Sequence, residues 1–570
     1  MQAAGPPSGP AVAQARPARR TDPRARAAAL PAGGSVLWPA AVAAAFTACQ
    51  LLLVVPGTGL GWDETVYVSQ VSPQAPAAFF SAPRARGVTF LAAPVTALTD
   101  SVTVLRTWLA LLSGAGLLLA LLPWRRLLPA PVTALAGALF ASLWITLFYG
   151  PQVMPNLWVA LGSLAAVGCF LNAVRAAERT PDGTGTAETA GTAGTTDRAG
   201  TADRADTAAA AGRPLPPGRR RRRRRGRPGR ADLAGLGAAV AVVALMRPSD
   251  AVWLVLPLAA AALAVRPWRH AAVLVVLVGG LLLGGAEWAV EAQLRYGGLF
   301  TRLERASEIQ GGIGLTADLA RTAFDDQVRA LEGRALCRPC DVPWRYPTTA
   351  LWWFALPLLT VGGVVAGART GLRAETRLPV LAAGSLAVPY LLLIDYAAPR
   401  FLLPSYALLA VPVAVLVTAA ATAAGPRLRP VVAAVTALVL AGHLAVQFAV
   451  LDRAVERNRA TRQTNERIAA ALHDRGVRPP CTLTGQHAVP LAFHTGCASR
   501  QDGGHDGSIT DARLRALARA EPLAVLVAGD HSPPGWARDW PVQPLPDLPG
   551  VPDLRAHLSP TAVEAASRPR

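Results

Sequence analysis

The chain has 570 residues, of which 52% are hydrophobic and only 16% charged, and its formal net charge is +20. Soluble domains carry about 25% charged residues. The composition therefore excludes a simple soluble enzyme, a disordered chain and a small disulfide scaffold, and points to a polytopic membrane protein.

Residues 1–35 are rich in Pro, Ala and Arg and read as a disordered cytoplasmic N-terminus. The apolar run that follows is too long for a signal-peptide core and is expected to stay as the first span. A membrane helix needs roughly 20 mostly apolar residues. Runs that meet or approach this lie near 36–56, 102–122, 131–149, 155–174, 232–246, 250–265, 270–289, 349–367, 378–394, 401–424 and 430–451. The expected fold class is mainly α, a polytopic membrane domain of about 11 transmembrane helices over 36–451, followed by a small exported C-terminal α/β domain over 452–570. The runs 232–246 and 250–265 also admit a re-entrant hairpin, and both readings leave the flanking loops on one side.

Arginine sets the orientation, because short loops rich in fixed cations stay inside. Arg125 and Arg126, Arg175, Arg266 and Arg269, Arg369, Arg373 and Arg377, and Arg427 and Arg429 fall in alternate loops. These loops are placed in the cytoplasm, together with the low-complexity, Arg-rich segment 176–231. Its Arg219–Arg225 run lacks interleaved aromatic residues, so it reads as an inner-leaflet contact and topology signal, and no nucleic-acid partner is expected. The outer side then holds the loops 57–101 and 290–348 and the C-terminal domain. The protein is expected in the plasma (inner) membrane, with its active face extracytoplasmic.

Cys337, Cys340, Cys481 and Cys497 all fall on the outer side, where disulfides persist. Local pairing gives Cys337–Cys340 and Cys481–Cys497. In the C-terminal domain, 452–475 reads as a charged helix, Cys481–Gly485 and Leu523–Gly529 as short strands, and Asp511–Ala520 as a helix between them. Asp502, His505 and Asp506 have metal-ligating side chains, but their spacing matches no specific template. Gly57-Thr58-Gly59-Leu60-Gly61 lacks the strand–loop–helix context of a phosphate loop.

The most informative segment is Gly61-Trp62-Asp63-Glu64-Thr65-Val66-Tyr67, directly after the first span. Two adjacent carboxylates at a membrane boundary are costly to keep and are functional candidates. Three other segments share their face: Tyr149-Gly150-Pro151-Gln152-Val153-Met154-Pro155-Asn156, Arg247-Pro248-Ser249-Asp250, and Asp395-Tyr396-Ala397-Ala398-Pro399-Arg400-Phe401-Leu402-Leu403-Pro404. In order and placement these resemble the C-type superfamily of polyprenyl-phosphate-sugar-dependent membrane glycosyltransferases, which includes protein O-mannosyltransferases and bacterial aminoarabinose and arabinosyl transferases. The last segment resembles the Pro-Arg-Tyr-Leu-Leu-Pro boundary before a late span in that superfamily. The resemblance covers roughly 36–450. It departs at Asn156, where many members carry an acid.

The resemblance implies a membrane glycosyltransferase that moves a sugar from a polyprenyl-phosphate donor to an acceptor hydroxyl of a cell-envelope glycan, lipid or protein. The chemistry of the residues agrees with it. A lipid-phosphate leaving group needs positive charge rather than a general acid, and Arg supplies a planar fork for phosphate oxygens. Arg400, Arg247 and Arg84 are the donor-phosphate candidates, with Arg86 beside them. An acceptor hydroxyl needs a base, and Asp63 is the choice. Glu64 diverges from it by about 100° if the segment is helical, so it orients the acceptor, binds an arginine or helps hold a metal. One base and one displacement imply inversion at the anomeric carbon. Tyr67 and Tyr396 are the substrate-binding candidates. No cofactor is required, although a divalent metal is compatible. Glu287, Glu291 and Arg295 lie at helical spacing and read as an ion-paired set. A transporter or lipid flippase, or a non-catalytic envelope scaffold, are the alternatives. A transporter usually shows repeated halves and charges near the midplane, and neither is evident.

Overall fold

The computed structural model describes residues 35–179, 228–312, 314–338, 340 and 343–568. The N-terminal stretch 1–34 and the low-complexity segment with its Arg219–Arg225 run lie outside the described residues.

Among the described residues, eight helices are long and apolar enough to cross a membrane: Leu37–Val54, Val102–Arg126, Pro155–Glu178, Ala271–Arg295, Pro347–Thr370, Arg373–Leu393, Pro399–Ala423 and Arg429–Asp474. The protein is multi-pass. The predicted count of about 11 is not reached by that measure, because three expected spans form shorter helices. Arg230–Met246 and Pro248–Ala264 have 17 residues each. At 1.5 Å per residue, each reaches about 25 Å, short of roughly 30 Å of hydrocarbon.

The third expected span, 131–149, is broken. Ala130–Ala141 ends at Ser142, Leu143 is extended, and Trp144–Tyr149 starts a second short helix. A break at membrane depth must satisfy its freed backbone groups within the protein. Here the Trp144 N–H donates to Gln447 Oε1 at 2.9 Å. The break turns Tyr149 and Pro151 toward the segment that follows the first span.

Pro155–Glu178 is the almost wholly buried centre of the bundle. It packs against Val102–Leu121, Arg230–Met246 and Leu403–Ala423. Small residues allow the tightest contact, between Ala271–Arg295 and Arg230–Met246. A Cβ on Gly280 would meet the Gly237 carbonyl oxygen at 2.7 Å, and one on Gly284 would strike the Ala241 carbonyl. Backbones approach this closely in membranes where small residues recur four apart.

The C-terminal domain is a five-stranded sheet, with Thr482–Gly485 as β1, Ala498–Ser499 as β2, Leu523–Val527 as β3, Val542–Pro544 as β4 and Arg555–Leu558 as β5. The order is β2-β1-β3-β5-β4; β1 runs parallel to β2 and β3, and β5 antiparallel to β3 and β4. Side chains alternate across a strand. Ala524 and Leu526 of β3 therefore join Ile468, Leu472 and Leu483 in one layer, while Leu523, Val525 and Val527 join Leu514 and Ala518 in the other.

Helix Arg429–Asp474 is a single 46-residue element. The sequence suggested a boundary at 451/452, where hydropathy falls. The backbone runs straight through it, and Ile468 and Leu472 at its far end enter the sheet-domain core.

Disulfides join Cys337 to Cys340 and Cys481 to Cys497. The second closes a loop of sequence separation 16 beside the sheet. Reducing it is expected to lower the stability of this domain by about 3 kcal/mol, through the entropy returned to the unfolded loop. Hydrogen exchange at the Leu523–Val527 amides reads this directly. Unchanged exchange after reduction would refute it.

Candidate active site

The site is built where the first span ends. Gly59 is tightly placed: a Cβ there would lie 2.6 Å from the Arg462 Cβ, and its N–H donates to Asn458 Oδ1 at 2.7 Å. The glycines thus let the chain pass under the long helix, and the Gly59 groups are spent inside the protein rather than offered to a phosphate. Helix Trp62–Ser69 then starts at Gly61, whose N–H donates to Glu64 Oε2 at 2.9 Å.

Glu64 is 2% exposed, and both its oxygens are fully engaged. Oε1 accepts from Arg106 Nη1 at 2.9 Å and from the Val153 N–H at 2.8 Å, and Oε2 also accepts from Arg106 Nη2 at 2.9 Å. Arg106 is itself 1% exposed and donates further to the carbonyls of Pro151 and Gly59. Of the three expected roles for Glu64, the geometry shows arginine binding. With four donors on it, Glu64 is a positioning residue that ties helix Trp62–Ser69 to Val102–Leu121 and to the 151–153 turn.

Asp63, one residue earlier, points elsewhere and is 32% exposed. Arg84 Nη1 lies 2.9 Å from its Oδ1, and Arg400 Nη2 lies 2.8 Å from its Oδ2. Burial alone would push the Asp63 carboxyl up, but Arg84, Arg400 and, more weakly, Arg247 together hold it below the usual carboxylate range. Arg84 also donates to Ser81 Oγ at 3.0 Å and lies 5.4 Å from the Tyr67 ring centre. Arg400 Nη1 donates to the Ala335 carbonyl at 2.7 Å and to the Tyr149 hydroxyl at 3.4 Å.

The third predicted cation, Arg247, stands at the junction of the two 17-residue helices, 3.6 Å from Asp250 Oδ2. It lies over the rings of Tyr390 and Phe401, at 5.3 and 5.5 Å. Tyr396 packs edge-on against Phe401 and sits under Arg338 at 4.7 Å. A shelf of cations backed by aromatic faces thus borders Asp63 on the Arg84–Arg247 side. From the sheet domain, Asp506 reaches the electrostatic range of Arg84 and Asp63. Burial raises its carboxyl, Arg84 opposes this, and Asp63 adds to it. Among the described residues no group of three or more His, Cys, Asp or Glu is arranged to hold a metal ion, Asp502, His505 and Asp506 included.

On the Arg400 side lies a cavity of about 340 Å³. Asp63 and Arg400 line it, with Trp62, Trp144, Phe148 and Tyr149 as its aromatic wall. Loop 333–336 and the polar stretch of the long helix, with Arg457, Asn458 and Thr461, complete the lining.

Asp63, Arg84, Arg247, Arg400, Tyr67 and Tyr396 are therefore gathered in one region. Arg86 is not: it donates to Glu291 Oε1 at 2.9 and 2.6 Å, while the fully buried Arg302 donates to Glu291 Oε2 at 2.9 Å. Arg295, the expected partner of Glu291, lies only 3.8 Å away on the exposed side. Sequence reasoning missed Arg106, although a fixed cation inside an apolar run is a signal in itself. It also missed Tyr390 and the Trp144 wall, which nothing distinguishes from ordinary span residues. Tyr149 and Asp250 lay in segments already singled out.

No protein-family model matches the chain, and no curated protein matches it by sequence. Solved structures do match its fold. Two are crystal structures of ArnT from Cupriavidus metallidurans. The one bound to undecaprenyl phosphate has a TM-score of 0.58 at 12% identity, covering 94% of this chain and 99% of that one. The apo form gives 0.57 with the same identity and coverage. The Archaeoglobus fulgidus oligosaccharyltransferase, in its apo form, is also similar, with a TM-score of 0.46 at 13% identity over 86% of this chain and 69% of that one.

Proposed function

We propose that the protein is a membrane glycosyltransferase that takes a sugar from a polyprenyl-phosphate donor and passes it to an acceptor hydroxyl on the extracytoplasmic face. The observation that carries this reading is Asp63 held between Arg84 and Arg400 in the lining of a cavity, in a fold similar to that of a protein solved with undecaprenyl phosphate bound.

The donor phosphate binds on the shelf formed by Arg84, Arg247 and Arg400, with Tyr67 and Tyr396 beside the sugar. Guanidinium–phosphate hydrogen bonds are charge-assisted and often bidentate. A bound phosphate competes with Asp63 for Arg84 and Arg400. Their turn toward it releases the carboxylate and raises its basicity when it is needed. Asp63 then takes the acceptor hydroxyl proton while the acceptor oxygen attacks the anomeric carbon. The bond from that carbon to the phosphate oxygen breaks, and its electron pair leaves with the polyprenyl phosphate. The displacement inverts the anomeric centre. No group has to protonate the leaving oxygen.

The test uses membranes that contain the protein, a panel of labelled polyprenyl-phosphate sugars and native envelope extract. Release of free polyprenyl phosphate together with a labelled product is expected for one donor. Flux of intact donor through proteoliposomes without cleavage would overturn the reading in favour of a transporter.

Arg84→Gln gives a second, independent check. Removing this cation lets the Asp63 carboxyl rise, so the basic form is lost at higher pH as acid is added. The acidic limb of the kcat/KM profile, which reports the free enzyme, is expected to move to higher pH than in the wild type. An unmoved limb would mean that Asp63 is not the group titrating.

A further inference from the structure

We infer that the cavity on the Arg400 side of Asp63 binds a saccharide acceptor carrying an acidic substituent, with Arg334 and Arg457 on the acid and the aromatic wall against the ring. This rests on the glycosyl-transfer reading above and adds to it the chemical class of the acceptor.

The wall suits a sugar. Trp62, Trp144, Phe148 and Tyr149 offer apolar surface to the C–H face of a pyranose, and a volume of about 340 Å³ admits a ring with its substituent.

Charge narrows the class. The nearest carboxylate to Arg334 is Glu332 at 3.9 Å, and Glu332 Oε1 already accepts the Tyr346 N–H at 2.6 Å. Arg457 donates only to the backbone oxygens of Arg453 and Glu332, at 3.2 and 3.4 Å, and forms no ion pair among the described residues. Two guanidiniums therefore face the cavity with little countercharge. A phosphate or carboxylate on the sugar would supply it.

Position separates this ligand from the donor. Arg457, Asn458 and Thr461 lie on the long helix beyond its apolar stretch, at the level a polar acceptor reaches from water. Arg84 and Arg247, by contrast, do not line the cavity. Asp63 stands between the two regions, where a base must stand.

The test uses the full-length protein in nanodiscs, with dissociation constants measured for methyl glucoside, glucuronic acid, glucose 6-phosphate and inorganic phosphate. Charge-assisted hydrogen bonds contribute about 1.5–3 kcal/mol, so both acidic sugars are expected to bind about tenfold or more tighter than methyl glucoside. The paired substitution R334Q/R457Q is expected to erase that preference while leaving methyl glucoside binding unchanged. Trp144→Phe removes three ring atoms of the aromatic wall together with the N–H, and should weaken all three sugars alike. Equal binding of neutral and acidic sugars, or a preference that survives R334Q/R457Q, would overturn the inference. Inorganic phosphate binding as tightly as glucose 6-phosphate would overturn its saccharide half. Donor turnover is followed in the same nanodiscs. Absent turnover with the binding pattern intact would sink the transferase reading, and the acceptor role with it, but leave an acidic-saccharide site.

Discussion

Asp63→Asn is expected to cut sugar transfer by about a hundred- to ten-thousandfold, the range a positioned general base contributes, while donor binding is kept or tightened. The side chain keeps its shape and one accepting oxygen, so insertion and folding should not change. Its charge disappears, however, and Arg84 and Arg400 are left with no carboxylate between them. The donor phosphate no longer competes for these cations. Single-turnover measurements with labelled donor, alongside donor affinity, separate the two effects. A loss confined to kcat fits a base. A loss of donor affinity with kcat intact would move the base elsewhere and make Asp63 a binding residue.

Arg106→Met should produce the largest stability loss. Breaking a buried ion pair on one side costs about 3–5 kcal/mol, because the remaining charge stays buried and unpaired. Here Glu64 would keep only the N–H groups of Gly61 and Val153, and the Pro151 and Gly59 carbonyls would lose their donor. Those carbonyls and N–H groups belong to the turns that hold helix Trp62–Ser69, so activity should fall with stability. Glu64→Gln preserves shape but leaves the Arg106 charge buried without its carboxylate and sets an amide N–H against incoming donors, so a penalty near the lower end of that range, about 3 kcal/mol, is expected. Thermal unfolding in detergent ranks the two. Wild-type stability in Arg106→Met would mean that the pair is dispensable.

The meeting of Asp63 with Arg400, 337 residues apart, was legible in the sequence. Both sit at span boundaries, and arginine counting places those boundaries on one side of the membrane. In the sheet domain the strands Thr482–Gly485 and Leu523–Val527 and the helix Asp511–Ala520 were legible, whereas the strands Ala498–Ser499, Val542–Pro544 and Arg555–Leu558, two to four residues long, were too short to show a pattern. The break at Leu143 was not. No Gly or Pro marks it, and the residue that satisfies it, Gln447, lies 303 positions away. Glu64 and Arg106 show the limit from the other side. Their residue types announced importance, but the sequence left three roles open for Glu64, and only the hydrogen-bond geometry picks arginine binding among them. The helix runs on through 451/452: hydropathy reports the solvent around a helix and says nothing about whether its backbone stops.

That uninterrupted helix makes the two halves of the protein one working unit. Asn458 holds Gly59, Arg459 donates to the Pro56 carbonyl at 2.7 Å, and Arg457 walls the cavity, while the same rod ends in the sheet-domain core at Leu472. A cut at the water line would not release a functional bundle from a detachable cap. It would remove part of the cavity lining beside Asp63 and unfasten the loop that leads into helix Trp62–Ser69.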